Sequence, residues 1–304
     1  MRAFDRAIVR ALPIVPRRIV RLVSAPYIAG PTLDDARRTV ARLNVAGKLA
    51  TVDVLGEEVT TPAEAETIAS AYHAALEAIV AGRLDANVSV KLTALGLAID
   101  VDLCGGLLRQ VVDDAAARGL FVRIDMEDSS CTDDTLRLYR QLREAGCDNV
   151  GVVLQSCLRR SLDDVAALAD LRPSVRLCKG IYVEPEEIAF RTSDEVRESF
   201  LDILDALLAR GAYVALATHD EWLLARSLER VSGMAPTSYE LQFLLGVRER
   251  RADELVAEGH RLRVYVPYGD RWYEYSLRRL QENPALAGTI ARATLGRLVP
   301  RRAG

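Results

Sequence analysis

Tyr275, Arg278, Arg279 and Glu282 stand at helical spacing, shortly after a β-branched run over residues 262–266 and a tight turn at Gly269. At about 100° per residue the four side chains share roughly a third of a helix circumference, with Leu277 and Leu280 on the other side. Two guanidinium groups beside Tyr265 and Tyr275 are suited to a small carboxylate, because each planar fork matches two carboxylate oxygens. The Arg-Arg dipeptide by itself says little. It recurs at 17–18, 37–38, 159–160, 250–251 and 301–302, and paired arginines on a helix are ordinarily a solvated face. The flanking strand and the two tyrosines set residues 278–279 apart.

Such groups need a scaffold that aims them. Strand-like segments cover 48–54, 87–91, 120–125, 149–154, 174–178, 212–217, 238–243 and 262–266, each followed by a helical stretch. Near-continuous apolar strands joined by crossover helices imply a parallel sheet buried on both faces, and eight such units, recurring roughly every 30 residues, close a (β/α)8 barrel. An open doubly wound sheet is the competing architecture, but no Gly-x-Gly-x-x-Gly follows any strand. The expected fold is therefore α/β, a (β/α)8 TIM barrel over residues 48–304 preceded by an N-terminal helical arm over 1–47.

Barrel active sites lie at the C-terminal ends of the strands. The polar residues there are Asp53, with Glu57 in the loop beyond; Lys91; Asp125; Gln155; Arg176 and Lys179; Thr218 and His219; Gln242; and Tyr265. Taken singly, several have structural explanations: Asp220 as a helix cap, His219 as a turn residue, Lys91 with Asp125 as a buried ion pair, Tyr265 as a core aromatic. Collectively they gather charged groups around one rim, which is costly unless they bind something.

The chain of 304 residues is half hydrophobic and 27% charged, with a net charge of −3 and both signs interspersed. That supports a large core and excludes the dominant basic face of a nucleic-acid binder. Five cysteines, none spaced Cys-x-x-Cys, support neither a disulfide framework nor a structural zinc site, and imply a reducing, cytoplasmic setting. No metal is expected. No apolar stretch approaches the roughly 20 residues of a membrane span. Residues 1–22 carry six arginines against Asp5 alone, interleaved with apolar residues; this basic amphipathic arm either packs on the barrel or makes peripheral contact with anionic lipid.

The strand-end motifs are LGE at 55–57, SVKLTALGL at 89–97, RIDMEDS at 123–129, RLCKGIY at 176–182, ATHD at 217–220, ELQFLLG at 240–246 and YVPYGDRWYEYSLRRLQENP at 265–284. In this order and spacing the chain resembles the monofunctional, FAD-dependent proline dehydrogenases over essentially its whole length. The resemblance implies a distorted barrel whose last helix lies over the mouth. It implies that Arg278, Arg279 and Lys91 clamp the carboxylate of L-proline, that Tyr265, Tyr275 and Leu244 close around the ring, and that Glu57 pairs with Arg278 as a gate. It assigns the flavin to Met126, Gln155, Arg176, Lys179, Gly180, Ile181, Thr218 and His219, with Arg176 near flavin N5 and Asp125 as the other catalytic-site member. The implied reaction is hydride transfer from proline to flavin, giving Δ1-pyrroline-5-carboxylate, with electrons passing on to a quinone and the basic arm docking at the membrane that carries it. Ile181, where alanine is usual, and Cys178, where a β-branched residue is common, are the departures. Alternatives are the same chemistry on 4-hydroxyproline, a Schiff-base aldolase or lyase using Lys91 or Lys179, and a flavin-binding barrel without turnover.

Overall fold

Segments that alternate between the strand and helix periods wind into a closed barrel of eight parallel strands in sequence order, and the computed structural model describes residues 25–56, 59–273 and 276 of the chain. The strands are β1 (Leu49–Val54), β2 (Ala86–Val90), β3 (Val122–Ile124), β4 (Val150–Gln155), β5 (Ser174–Cys178), β6 (Tyr213–Ala217), β7 (Tyr239–Leu244) and β8 (Leu262–Tyr268). The helices are α1 (Leu33–Val45), α2 (Pro62–Ala81), α3 (Val101–Ala117), α4 (Thr132–Glu144), α5 (Ser161–Ala167), α6 (Ser193–Ala209), α7 (Glu221–Arg230) and α8 (Glu249–Ala257).

Every expected strand is present. The largest differences are a shorter β3, beyond whose end Asp125 N still donates to Val90 O at 2.8 Å, and a longer β8. β8 gains its extra residues by closing the barrel on β1, from Leu49 opposite Arg263 to Val54 opposite Tyr268.

Helix starts follow local chemistry. Thr32, Thr61 and Thr192 each form a reciprocal capping box with an acidic residue three positions on, and Pro62 opens α2 where its missing N–H costs nothing. The apolar strand positions Val52, Val88, Ile124, Val152, Leu177, Leu216, Leu241 and Val264 join one core with the inner faces of the helices. Phe200, Leu76 and Leu108 there are fully buried, each contributing roughly 1.5–3 kcal/mol by leaving water. α1 packs against β1 and β8.

One expectation needs correcting. The strands are buried throughout but are not near-continuously apolar: their alternate positions carry Asp53, Ser89, Arg123, Asp125, Arg176, Glu240, Gln242 and Arg263, all buried. Side chains alternate faces along a strand, so the apolar set meets the helices while this polar set fills the lumen.

Among the described residues no helix is long and apolar enough to cross a membrane. The basic arm over residues 1–22, Glu57, and the segment bearing Tyr275, Arg278 and Arg279 lie outside the described residues.

Candidate active site

Arg176 leaves β5 and crosses the lumen. Its Nε donates to Gln242 Oε1 of β7 at 2.5 Å, and its Nη1 pairs with Asp125 at the end of β3 and donates to Ser89 Oγ of β2 at 3.2 Å. Asp125 Oδ1 also accepts from Ser89 Oγ at 2.6 Å, and Asp125 Oδ2 accepts from the Tyr265 hydroxyl of β8 at 2.8 Å. β3 and β8 are not neighbours, so these bonds run through the barrel interior. Lys91, just past β2, donates to both oxygens of Asp53 at 2.8 Å and to the Tyr265 hydroxyl at 3.1 Å, and lies 3.8 Å from Asp125. Lys91 is thus bound first to Asp53, while the main partner of Asp125 is Arg176.

Electrostatics follow from this packing. Burial works to raise the Asp125 carboxyl, but Arg176, Lys91 and the Ser89 and Tyr265 hydroxyls together outweigh it and hold the group below its ordinary value, ionised. Burial, reinforced by the charges of Asp125 and Asp53, pushes the Tyr265 phenol well above its own, so it remains a hydrogen-bond donor. Burial lifts the Cys178 thiol to about 12, which leaves it an inert wall rather than a nucleophile.

Above this network opens a cavity of about 490 Å³. Lys91, Asp125, Met126, Gln155, Thr218, His219, Leu244 and Tyr265 line it. Lys179, Gly180 and Ile181 contribute the loop after β5. Of the described strand-end residues singled out from the sequence, all but Asp53 therefore line one cavity, and Asp53 sits behind it as the partner of Lys91.

Several of these are held by identifiable contacts. Gln155 Nε2 donates to the carbonyls of Met126 and Glu127 at 3.1 Å, tying β4 to the loop after β3. His219 Nε2 accepts from Leu244 N at 3.1 Å, which puts the neutral ring's proton on Nδ1, and the imidazole tilts against Phe243 at 4.7 Å. Lys179 pairs with Asp220, and Arg197 of α6 donates to the same carboxylate at 2.8 Å. Asp220 also caps α7 by accepting from Leu223 N, so the cap expected from the sequence is at once a charge partner.

Two features bear on what the cavity can hold. Arg176 Nη2 is buried and has no hydrogen-bond partner among the described residues, a costly state for a guanidinium unless something else accepts from it. Gly180 sits at φ +93°, where a Cβ would run into Cys157 Sγ and stand 3.2 Å from Gln155 Cβ. The backbone there passes closer to its neighbours than any side-chain-bearing residue allows.

Sequence reasoning overlooked Ser89, a small strand residue whose type carries no signal, and did not join Asp53 to Lys91. It noted Gln242 as a strand-end residue but missed Glu240 beneath it, although residues two apart on a strand share a face.

Comparison with known proteins bears on the family and the fold. Residues 36–292 match the proline dehydrogenase family. Proline dehydrogenase 1 of Bacillus subtilis is 37% identical over 277 residues, covering 90% of this chain and 91% of its own length. Proline dehydrogenase of Deinococcus radiodurans is 36% identical over 275 residues, 88% of this chain and 89% of its own. The crystal structure of proline utilization A (PutA) from Bdellovibrio bacteriovorus inactivated by N-propargylglycine superposes with a TM-score of 0.80 at 25% identity, covering 86% of this chain and 32% of the PutA chain. With a family match across most of its length and near full-length relatives above one-third identity, the chain belongs to the proline dehydrogenase family.

Proposed function

We propose that this chain oxidises L-proline to Δ1-pyrroline-5-carboxylate, with FAD as its cofactor. The observation that carries the reading is the hydrogen-bonded Arg176–Asp125–Tyr265–Lys91 constellation at the mouth of a proline dehydrogenase barrel. In the reaction the C5–H bond breaks with its electron pair leaving as hydride, the lone pair of the deprotonated ring nitrogen forms the C=N bond, and the resulting protonated imine releases its N–H proton to solvent. FAD supplies the two-electron acceptor.

The chain's own residues bind and orient. Four lumen cations, Lys91, Arg123, Arg176 and Arg263, face three carboxylates, Asp53, Asp125 and Glu240, so an anionic substrate restores the balance. Lys91, with Arg278 and Arg279, takes the substrate carboxylate; charge-assisted hydrogen bonds of this kind are worth roughly 1.5–3 kcal/mol each. Leu244, Tyr265 and Tyr275 bound the ring, and Glu57 pairs with Arg278 as the gate. Asp125, ionised, fixes Arg176 and the Tyr265 hydroxyl rather than accepting the substrate proton. Met126, Gln155, Arg176, Lys179, Gly180, Ile181, Thr218 and His219 hold the flavin, Gly180 by its close backbone approach and Arg176 through the unused Nη2. A cation beside the ring favours its electron-rich reduced form. The bulk of Tyr265 at the ring's far edge selects proline over 4-hydroxyproline. A quinone takes up the electrons, and the basic amphipathic segment at residues 1–22 meets the anionic membrane that carries it.

The test is anaerobic mixing of the purified protein with L-proline while its visible spectrum is followed. Bleaching of the flavin bands is expected. Yellow protein that proline does not bleach points to a flavin-binding barrel without turnover, and colourless protein that traps a carbonyl substrate under borohydride points to a Schiff-base enzyme.

A further inference from the structure

We propose that Glu240, which touches no part of the cavity, is a positioning residue for Arg176 and acts through Gln242. The proposal rests on Arg176 working beside the bound flavin.

A guanidinium is planar, so holding two of its edges fixes the third. Arg176 is held by Gln242 on Nε and by Asp125 and Ser89 on Nη1, which leaves Nη2 with a set direction. The Gln242 contact is the conditional one. A glutamine amide has two ends of nearly the same shape and opposite hydrogen-bonding character; flipped, it turns N–H groups toward Arg176 and the contact becomes repulsive. Glu240 prevents the flip. Its Oε1 accepts from Gln242 Nε2 at 2.5 Å, and a carboxylate has no proton to offer the other way.

Glu240 is kept ionised and still. Arg263 Nε donates to its two oxygens at 2.9 and 3.1 Å, and Arg263 Nη1 donates to Ala50 O of β1 at 2.7 Å. Burial pushes the Glu240 carboxyl up, but the Arg263 charge and hydrogen bond, with that from Gln242, hold it below its ordinary value. The line from the β1 main chain through Arg263, Glu240 and Gln242 to Arg176 ends at the cavity, which Gln242 and Arg176 line and Glu240, at 2% exposure, does not.

The experiment uses FAD-loaded protein with Glu240→Gln, Gln242→Met, the double variant and Arg176→Met. The readouts are the midpoint potential of the bound flavin, the limiting rate of flavin reduction by L-proline, and the proline Kd. Glu240→Gln and Gln242→Met are each expected to move the potential negative and slow reduction roughly tenfold, with Kd within about threefold of wild type. The double variant is expected to be no worse than Gln242→Met, because the two act in one line. A Glu240→Gln protein of lower thermal stability but wild-type potential and rate assigns Glu240 a purely structural role and overturns the proposal; additive effects in the double variant do the same. Because Glu240→Gln strands the Arg263 charge, Glu240→Gln with Arg263→Gln provides a charge-neutral version with the same expected shifts. Gln242→Met leaves the Glu240–Arg263 pair in place, and a wild-type potential in that variant overturns the proposal on its own. If Arg176→Met also leaves the potential unmoved, what fails is the placement of Arg176 beside the flavin; if it alone shifts the potential, only the relay fails.

Discussion

Asp53 and Lys91 face one another between adjacent strands at the barrel mouth, the ammonium donating to both carboxylate oxygens at 2.8 Å and the carboxylate fully buried. Removing one partner of a buried pair leaves an uncompensated charge, at a cost of about 3–5 kcal/mol. Asp53→Asn is therefore expected to lower stability by an amount in that range, read from the denaturant midpoint in urea. A wild-type midpoint removes the pair from the set of groups that hold the mouth together.

The proposed carboxylate clamp predicts a separate effect for Arg279→Met. Loss of about 3 kcal/mol of paired-charge stabilisation should raise the proline requirement roughly 10²-fold while flavin content is unchanged. Steady-state kinetics alongside flavin absorbance checks both halves, and unchanged proline affinity counts against the clamp.

Gly180 and Gly211 form a controlled pair. Both have positive φ, +93° and +68°, but a Cβ at Gly211 meets nothing within 4 Å whereas one at Gly180 strikes Cys157. Gly211→Ala is expected to cost about 1 kcal/mol of backbone strain, and Gly180→Ala up to about 3 kcal/mol together with flavin occupancy. Equal behaviour of the two variants in thermal unfolding and flavin content argues against a cradle at Gly180.

The fourth test concerns acid. Burial tends to raise the Asp220 carboxyl, but the hydrogen bonds from Arg197 and Lys179, with the α7 backbone contact, leave it strongly lowered. A depressed folded-state value means the stabilisation is fully present above the ordinary carboxylate value near about 4 and is lost as pH falls through the folded value. Asp220→Asn should accordingly melt below wild type at pH 7, with the gap closing as the pH drops into the acid range. A gap that persists unchanged at low pH assigns the loss to packing instead.

The architecture was legible because its signals are local and repeated. β5 stands at residues 174–178 as read, and the other strands begin or end within a few residues of expectation, since β-branched runs bounded by helix caps depend on near neighbours. The largest departures are β3, where only three residues enter the ladder, and β8, which runs two residues further than expected.

Chemistry at the site was legible as residue type, through the motifs, but not as partnership. Lys91 and Asp125 invited pairing because both lie at strand ends of opposite charge, yet Lys91 settles on Asp53 and Asp125 on Arg176. Sequence spacing carries no information about which of several buried charges are closest across a lumen.

The amino-acid sequence alone determined the eightfold repeat, the family and most of the described strand-end residues that line the cavity, because periodicity and motif order are properties of the chain. Only the tertiary structure decided that the alternate strand residues form one polar lumen, joining Arg263, Glu240 and Gln242 to Arg176. Those contacts span up to 66 residues of sequence from one link to the next. They exist because closing the sheet brings distant strands within hydrogen-bond reach, and no local rule fixes which donor then finds which acceptor.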